Sequence, residues 1–116
     1  MMSVFALAGE GKTERIAVAA SGNTPPASVN AQAGRAPFFL FFDRQGTFIE
    51  AVGNPYKDAG SAGISTVDFL AAKGVTVLVA EGYGPRIVEV MKGKGMRAVT
   101  FTGTAADAVK KLVGAK

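Results

Sequence analysis

The sequence predicts an α/β fold in which one mixed five-stranded sheet carries helices on both faces. Three observations lead there. In the second half, short apolar runs alternate with segments of helical periodicity, which requires parallel strands joined by right-handed crossovers. In the first half, two strand-like runs follow each other across a tight turn, which adds an antiparallel strand. The first of these two runs holds Phe38, Phe39, Phe41 and Phe42. These rings cannot all face one side of a strand, so both faces of that strand must be covered.

Residues 15–20 read as a short buried first strand. Residues 21–35 are polar and rich in small residues, with Gly22-Asn23-Thr24-Pro25-Pro26 as a turn signal. A loop this long in a small domain tends to be functional or mobile. Residues 37–42 form the second strand, closed by Asp43-Arg44-Gln45-Gly46, and residues 47–52 the third, so the two make a hairpin. A second loop carries Asn54-Pro55-Tyr56-Lys57 and then Ala59-Gly60-Ser61-Ala62-Gly63. The helix that follows turns Ile64, Val67 and Leu70 or Ala71 inward and stops at Gly74. Residues 75–80 are β-branched and uncharged, a buried strand. The stretch Gly82-Tyr83-Gly84-Pro85-Arg86 joins that strand to a helix over 85–94, with Pro85 suited to the first helical position and Ile87, Val88 and Met91 on one face. A last strand lies near 97–101. Thr104 and Asp107 open the final helix with a capping-box-like pattern, and Val109, Leu112 and Val113 form its inner face.

Composition removes whole classes of chemistry. The chain has 116 residues, 48% of them hydrophobic, enough for one core. It holds no cysteine and no histidine. Disulfides, thiolate nucleophiles, Cys- or His-ligated metals and histidine general bases are thereby excluded. A net charge of +4 favours an anionic partner but is too modest to imply nucleic acid. The phenylalanine run has no basic residues interleaved, so it reads as core rather than as a base-stacking platform. No apolar run approaches the roughly 20 residues that span a bilayer. Residues 1–14 read as a flexible N-terminal tail without a basic signal-peptide region, and 15–116 as a single cofactor-binding domain, expected in the cytoplasm.

Four motifs occur in order along the chain: Gly34-Arg35-Ala36-Pro37-Phe38-Phe39, Asn54-Pro55, Gly60-Ser61-Ala62-Gly63-Ile64 and Gly82-Tyr83-Gly84-Pro85. Together they resemble the dinitrogenase iron–molybdenum cofactor biosynthesis family, over residues 15 to about 113. The resemblance implies a ribonuclease-H-like motif, a three-layer α/β/α fold with sheet order 3-2-1-4-5 and strand 2 antiparallel. It implies a small nitrogenase accessory factor-like carrier of cofactor precursors. Many members carry a His shortly before the Gly-Arg-Ala-Pro motif and others use Cys, whereas Gln32-Ala33 stands there in this chain. The resemblance then points to members that hold a sulfide-bridged molybdenum–copper cluster without covalent attachment. Metals saturated by sulfide need no direct protein ligand, only a positive, hydrogen-bonding, partly apolar niche.

Such a niche would draw on the loops after the first strand, after the hairpin and after strand 75–80, which parallel topology brings to one sheet edge. The candidate binding residues are Ser21, Asn23 and Arg35, then Asn54, Lys57, Ser61, Gly63 and Ser65, then Gly82, Tyr83, Gly84 and Arg86. Arg35 is either a fixed cation for a sulfide-rich anion or a tie that holds its loop to nearby carbonyls. Ser61 or Ser65 could offer hydroxyls at a helix start, where capping is the plain alternative. The Gly82–Arg86 stretch is either an anion site or a tight turn. Arg86 opposes the helix dipole, a small cost that an anion bound beside it would offset. Tyr83 reads as a lid or packing residue, and Met91 and Met96 as core. Two other classes compete with the carrier. One is a cofactor-free adaptor for ParA/Mrp-type ATPases, which the resemblance suggests and which would need an exposed apolar patch. The other is a nucleotide-binding enzyme, which lacks a Lys-Ser/Thr phosphate motif. A nuclease would need converging carboxylates that residues 15–20 and 75–80 do not have.

Overall fold

The computed structural model describes residues 15–56 and 62–114. The expected tail, 1–14, lies outside them. In chain order the elements are β1 (Arg15–Ala20), β2 (Phe38–Asp43), β3 (Phe48–Gly53), α1 (Ala62–Ala72), β4 (Val77–Ala80), α2 (Pro85–Gly93), β5 (Arg97–Thr100) and α3 (Ala105–Gly114). The five strands are ordered β3-β2-β1-β4-β5. β2 pairs antiparallel with both neighbours, whereas β1–β4 and β4–β5 are parallel. β2 therefore runs against the other four, as the sequence leads one to expect.

β2 shows why the sheet is a middle layer. Phe39 and Phe41 face one core with α1 and α2, and Leu40 and Phe42 face a second core with α3. β1 lies beside it as a strand of mostly small residues, with Ala17, Val18, Ala19 and Ala20 fully buried. Large rings on β2 thus fill the space that the small residues of β1 leave above and below the sheet. Val67 and Leu70 of α1 and Met91 of α2 close the first core, and Ala105, Ala108 and Val109 of α3 close the second. Met96 is buried in the first core as well.

The starts of β2, β3 and β4 differ from the periodicity by one or two residues, each time because a backbone N–H is missing or used elsewhere. Pro37 has no N–H to give the ladder, so β2 starts at Phe38. Thr47 N–H goes to Asp43 Oδ1 at 2.9 Å, so β3 starts at Phe48. Val75 N–H returns to the Leu70 carbonyl at 3.1 Å to close α1, with Gly74 at φ +83°, so β4 starts only at Val77. Thr104 Oγ1 accepts the Asp107 N–H at 3.1 Å and caps α3 as its sequence suggests. Among the described residues no helix is long and apolar enough to cross a membrane.

Candidate functional site

Four strands run the same way, so their carboxyl ends and the amino ends of α1, α2 and α3 share one edge of the sheet. The chain leaves β1 toward β2 on one side and meets β4 on the other, which is where an open sheet forms a crevice. The long loop after β1 is pinned across that crevice by its backbone. Asn30 N–H bonds the Ala19 carbonyl at 2.7 Å, and Glu81 N–H bonds the Asn30 carbonyl at 3.0 Å. Val29 N–H reaches Gly103 at 2.8 Å and Ala33 N–H reaches Gly82 at 3.1 Å. The loop is therefore a built wall rather than an excursion into solvent.

Beyond Ala33 this wall frames a cleft of about 400 Å³. Gly34 and Arg35 enter it from the loop, Gly63 from the start of α1, and Gly82, Tyr83 and Gly84 from the β4–α2 junction, with Gln32 and Ile87 completing it. Close approach explains the glycines. A Cβ on Gly34 would stand 2.8 Å from the Gly63 Cα, and one on Gly63 would stand 2.5 Å from Ile87 Cγ1. The loop and the start of α1 thus approach backbone to backbone, α1 packs its backbone on the Ile87 side chain, and much of the cleft wall is peptide.

Under the wall lies a polar node. Asn54, 5% exposed, donates through Nδ2 to the carbonyls of Gly34 at 3.1 Å and Ala36 at 3.0 Å. Its Oδ1 accepts the Tyr56 N–H at 2.9 Å. The Thr66 hydroxyl lies 3.0 Å from the Gly34 carbonyl and 3.3 Å from Asn54 Oδ1. Tyr83 is anchored too. Its hydroxyl sits over the β4–β5 ladder, 2.7 Å from the Leu78 carbonyl, 2.6 Å from the Val99 carbonyl and 3.1 Å from the Val99 nitrogen. Burial pushes its pKa up to about 12, against hydrogen bonds from the backbone that act the other way.

The sequence profile of the family described as dinitrogenase iron-molybdenum cofactor matches residues 14–115. The chain belongs to this dinitrogenase iron–molybdenum cofactor family. Its fold is similar to that of the orange protein from Desulfovibrio gigas, solved in the apo form, with 28% identity over 87% of this chain and 88% of that one and a TM-score of 0.81. A Thermotoga protein with a NifB designation, placed in the DUF35 family, is 28% identical over 86% of this chain and 87% of its own, with a TM-score of 0.74. No curated protein matches the sequence.

In this member of the dinitrogenase iron–molybdenum cofactor family, Arg35, Gly63, Gly82, Tyr83 and Gly84 meet in one cleft. The other expected site residues stand elsewhere. Asn54 lies beneath the cleft with its donors spent. Ser21 accepts the Asn30 side-chain amide at 3.2 Å, and Asn23 is exposed in the first half of the same loop. Ser65 is half-buried in α1, and Arg86 is exposed on α2 without lining the cleft. Lys57 and Ser61 lie outside the described residues. The α2 start supplies few donors: Pro85 has no N–H, and those of Ile87 and Val88 bond the Gly84 carbonyl. The Arg86 N–H meets no acceptor among the described residues. Sequence reasoning missed Thr66, Gln32 and Ile87. Thr66 left a faint signal, a polar residue directly beside Val67 on the buried stripe of α1. No three Asp or Glu residues gather among the described residues.

Proposed function

We propose that this protein is a non-enzymatic carrier that holds an anionic metal–sulfur cluster non-covalently in the cleft at the β1–β4 switch point. The observation that supports this best is the composition of the wall: peptide backbone packed glycine to glycine, with Arg35 and the Gln32 carboxamide as polar side chains. The family is named for a molybdenum-containing cofactor, and this chain has neither thiol nor imidazole to ligate a metal. A cluster whose metals are already bridged by sulfide fits that donor set, because its surface needs hydrogen-bond donors and positive charge. A molybdenum–copper–sulfide cluster is the cargo we favour. Arg35 supplies a cation at the cleft, and Arg86 adds field from the first turn of α2.

The test is reconstitution. Purified protein mixed with tetrathiomolybdate and copper should yield a chromophore that co-elutes with protein in gel filtration, with molybdenum confirmed by metal analysis. Colour and molybdenum found only in the small-molecule fraction would end the proposal. Retention should weaken as salt rises, because charge and hydrogen bonds hold the cargo. Salt-independent retention would point to metal coordination or apolar trapping instead.

A further inference from the structure

Arg35 stands between two carbonyls, those of Gly34 and Ala36, and both are gripped by the same side chain. Asn54 spends both Nδ2 hydrogens on them and offers Oδ1 to Tyr56 and Thr66. Thr66, 1% exposed, carries a single hydroxyl hydrogen, and the nearer acceptor is the Gly34 carbonyl at 3.0 Å. A mid-helix threonine ordinarily bonds a carbonyl of its own preceding turn. Here it reaches a segment 32 residues away. We propose that Asn54 and Thr66 are positioning residues for cargo binding, a buried clamp that fixes the Gly34–Ala36 backbone and with it the placement of Arg35.

The inference rests on the carrier reading for what is bound, and on geometry for what is held. An exposed guanidinium on an unanchored loop would lose conformational freedom on binding, and that loss weakens affinity. Anchoring the peptide on both sides of Arg35 removes part of it in advance. Both gripped carbonyls belong to buried residues; loss of the Thr66 hydroxyl leaves Asn54 as the remaining side-chain donor to the Gly34 carbonyl and sets a methyl against it, which loosens the grip and lets the loop rearrange. If only a tenth of molecules then keep the competent loop, apparent affinity falls about tenfold.

The experiment uses the full chain and tetrathiomolybdate with copper as probe. Thr66→Val keeps the shape and removes the hydroxyl, and should weaken binding about tenfold, whereas Thr66→Ser keeps the hydroxyl and should restore most of it. The deciding readout is a double-mutant cycle with Arg35→Ala. The fold-loss from Arg35→Ala should shrink in the Thr66→Val background, because Arg35 is then no longer held in place. A merely structural Thr66 leaves that fold-loss unchanged. Should Thr66→Val not fold, Asn54→Ser carries the same cycle. Hydrogen exchange at the Arg35 and Ala36 amides of the cargo-free protein should speed up in the Val variant and not in the Ser variant. Additive losses with unchanged exchange would overturn the clamp. A wild-type protein that binds no probe would overturn the carrier reading, and exchange would then decide the clamp alone.

Discussion

The Tyr83 hydroxyl, held over the β4–β5 ladder, makes alkaline stability a readout of the site's frame. Its folded pKa is raised from 10.0 to about 12 by burial. The folded state therefore favours the neutral phenol, so this contribution is complete below pH 10 and is lost as the pH rises from 10 towards 12. Thermal melts of Tyr83→Phe should show a loss near neutral pH of about 1 kcal/mol, the value of a buried hydrogen bond, and a shallower decline above pH 10 than wild type. The cleft glycines predict a contrast. Gly63→Ala would drive a methyl against Ile87 and should cost about 1–3 kcal/mol in denaturant unfolding, a loss that Ile87→Ala should partly relieve. Gly84 has φ −72° and nothing nearer than 3.9 Å to its Cβ, so Gly84→Ala should leave stability nearly unchanged while putting a methyl into the cleft. Reduced probe retention by a fully stable Gly84→Ala would mark the cleft as the binding place. Legibility was uneven at this scale. Glycine spacing exposed the cleft-lining residues because close approach leaves a sequence trace. Asn54 read as a loop donor because Asn-Pro is ordinary turn chemistry. Its partners Gly34 and Ala36 lie 20 and 18 residues back, a wiring no local pattern reveals.

Elements were more legible than residues. The phenylalanine run announces a strand covered on both faces, and β2 sends Phe39 and Phe41 to one core and Leu40 and Phe42 to the other. Truncating Phe39 or Phe41 to Ala should cost about 3–5 kcal/mol, with Phe38, only half-buried, costing less. Strand ends escaped the periodicity because side-chain and capping bonds claim them, as Thr47 and Val75 show. α3 provides a control for function. Thr104→Ala removes its cap and should cost about 1 kcal/mol by denaturant titration, yet leave probe binding intact because α3 packs on the face away from α1 and α2. The Lys94–Asp68 pair at 3.0 Å ties α2 to α1, but both side chains are half exposed, so its loss should be hard to measure.

On the scale of the whole molecule, the cleft lies at one edge of the sheet, where the proposed carrier role puts the cargo. NMR shift changes on probe addition should map to residues 31–35, to the start of α1 and to residues 82–87. Changes confined to α3 would place the cargo elsewhere. Lys110→Ala and Lys111→Ala should leave retention and its salt dependence as in wild type. The order of the strands has a further consequence, for the time course of folding. β1 is joined to β4 only through partners some 61 residues apart, as between Arg15 and Thr76. Closing so long a chain is slow compared with forming the β2–β3 hairpin, so the parallel pairing comes late. The cleft needs the ends of β1 and β4 together with the start of α2, so no partial chain that stops before the β4–α2 junction contains it. If the cleft holds the cargo as proposed, a growing or truncated polypeptide would be unable to capture it prematurely. On the carrier reading proposed above, uptake would begin only once the sheet has closed, which would make loading a property of the finished molecule.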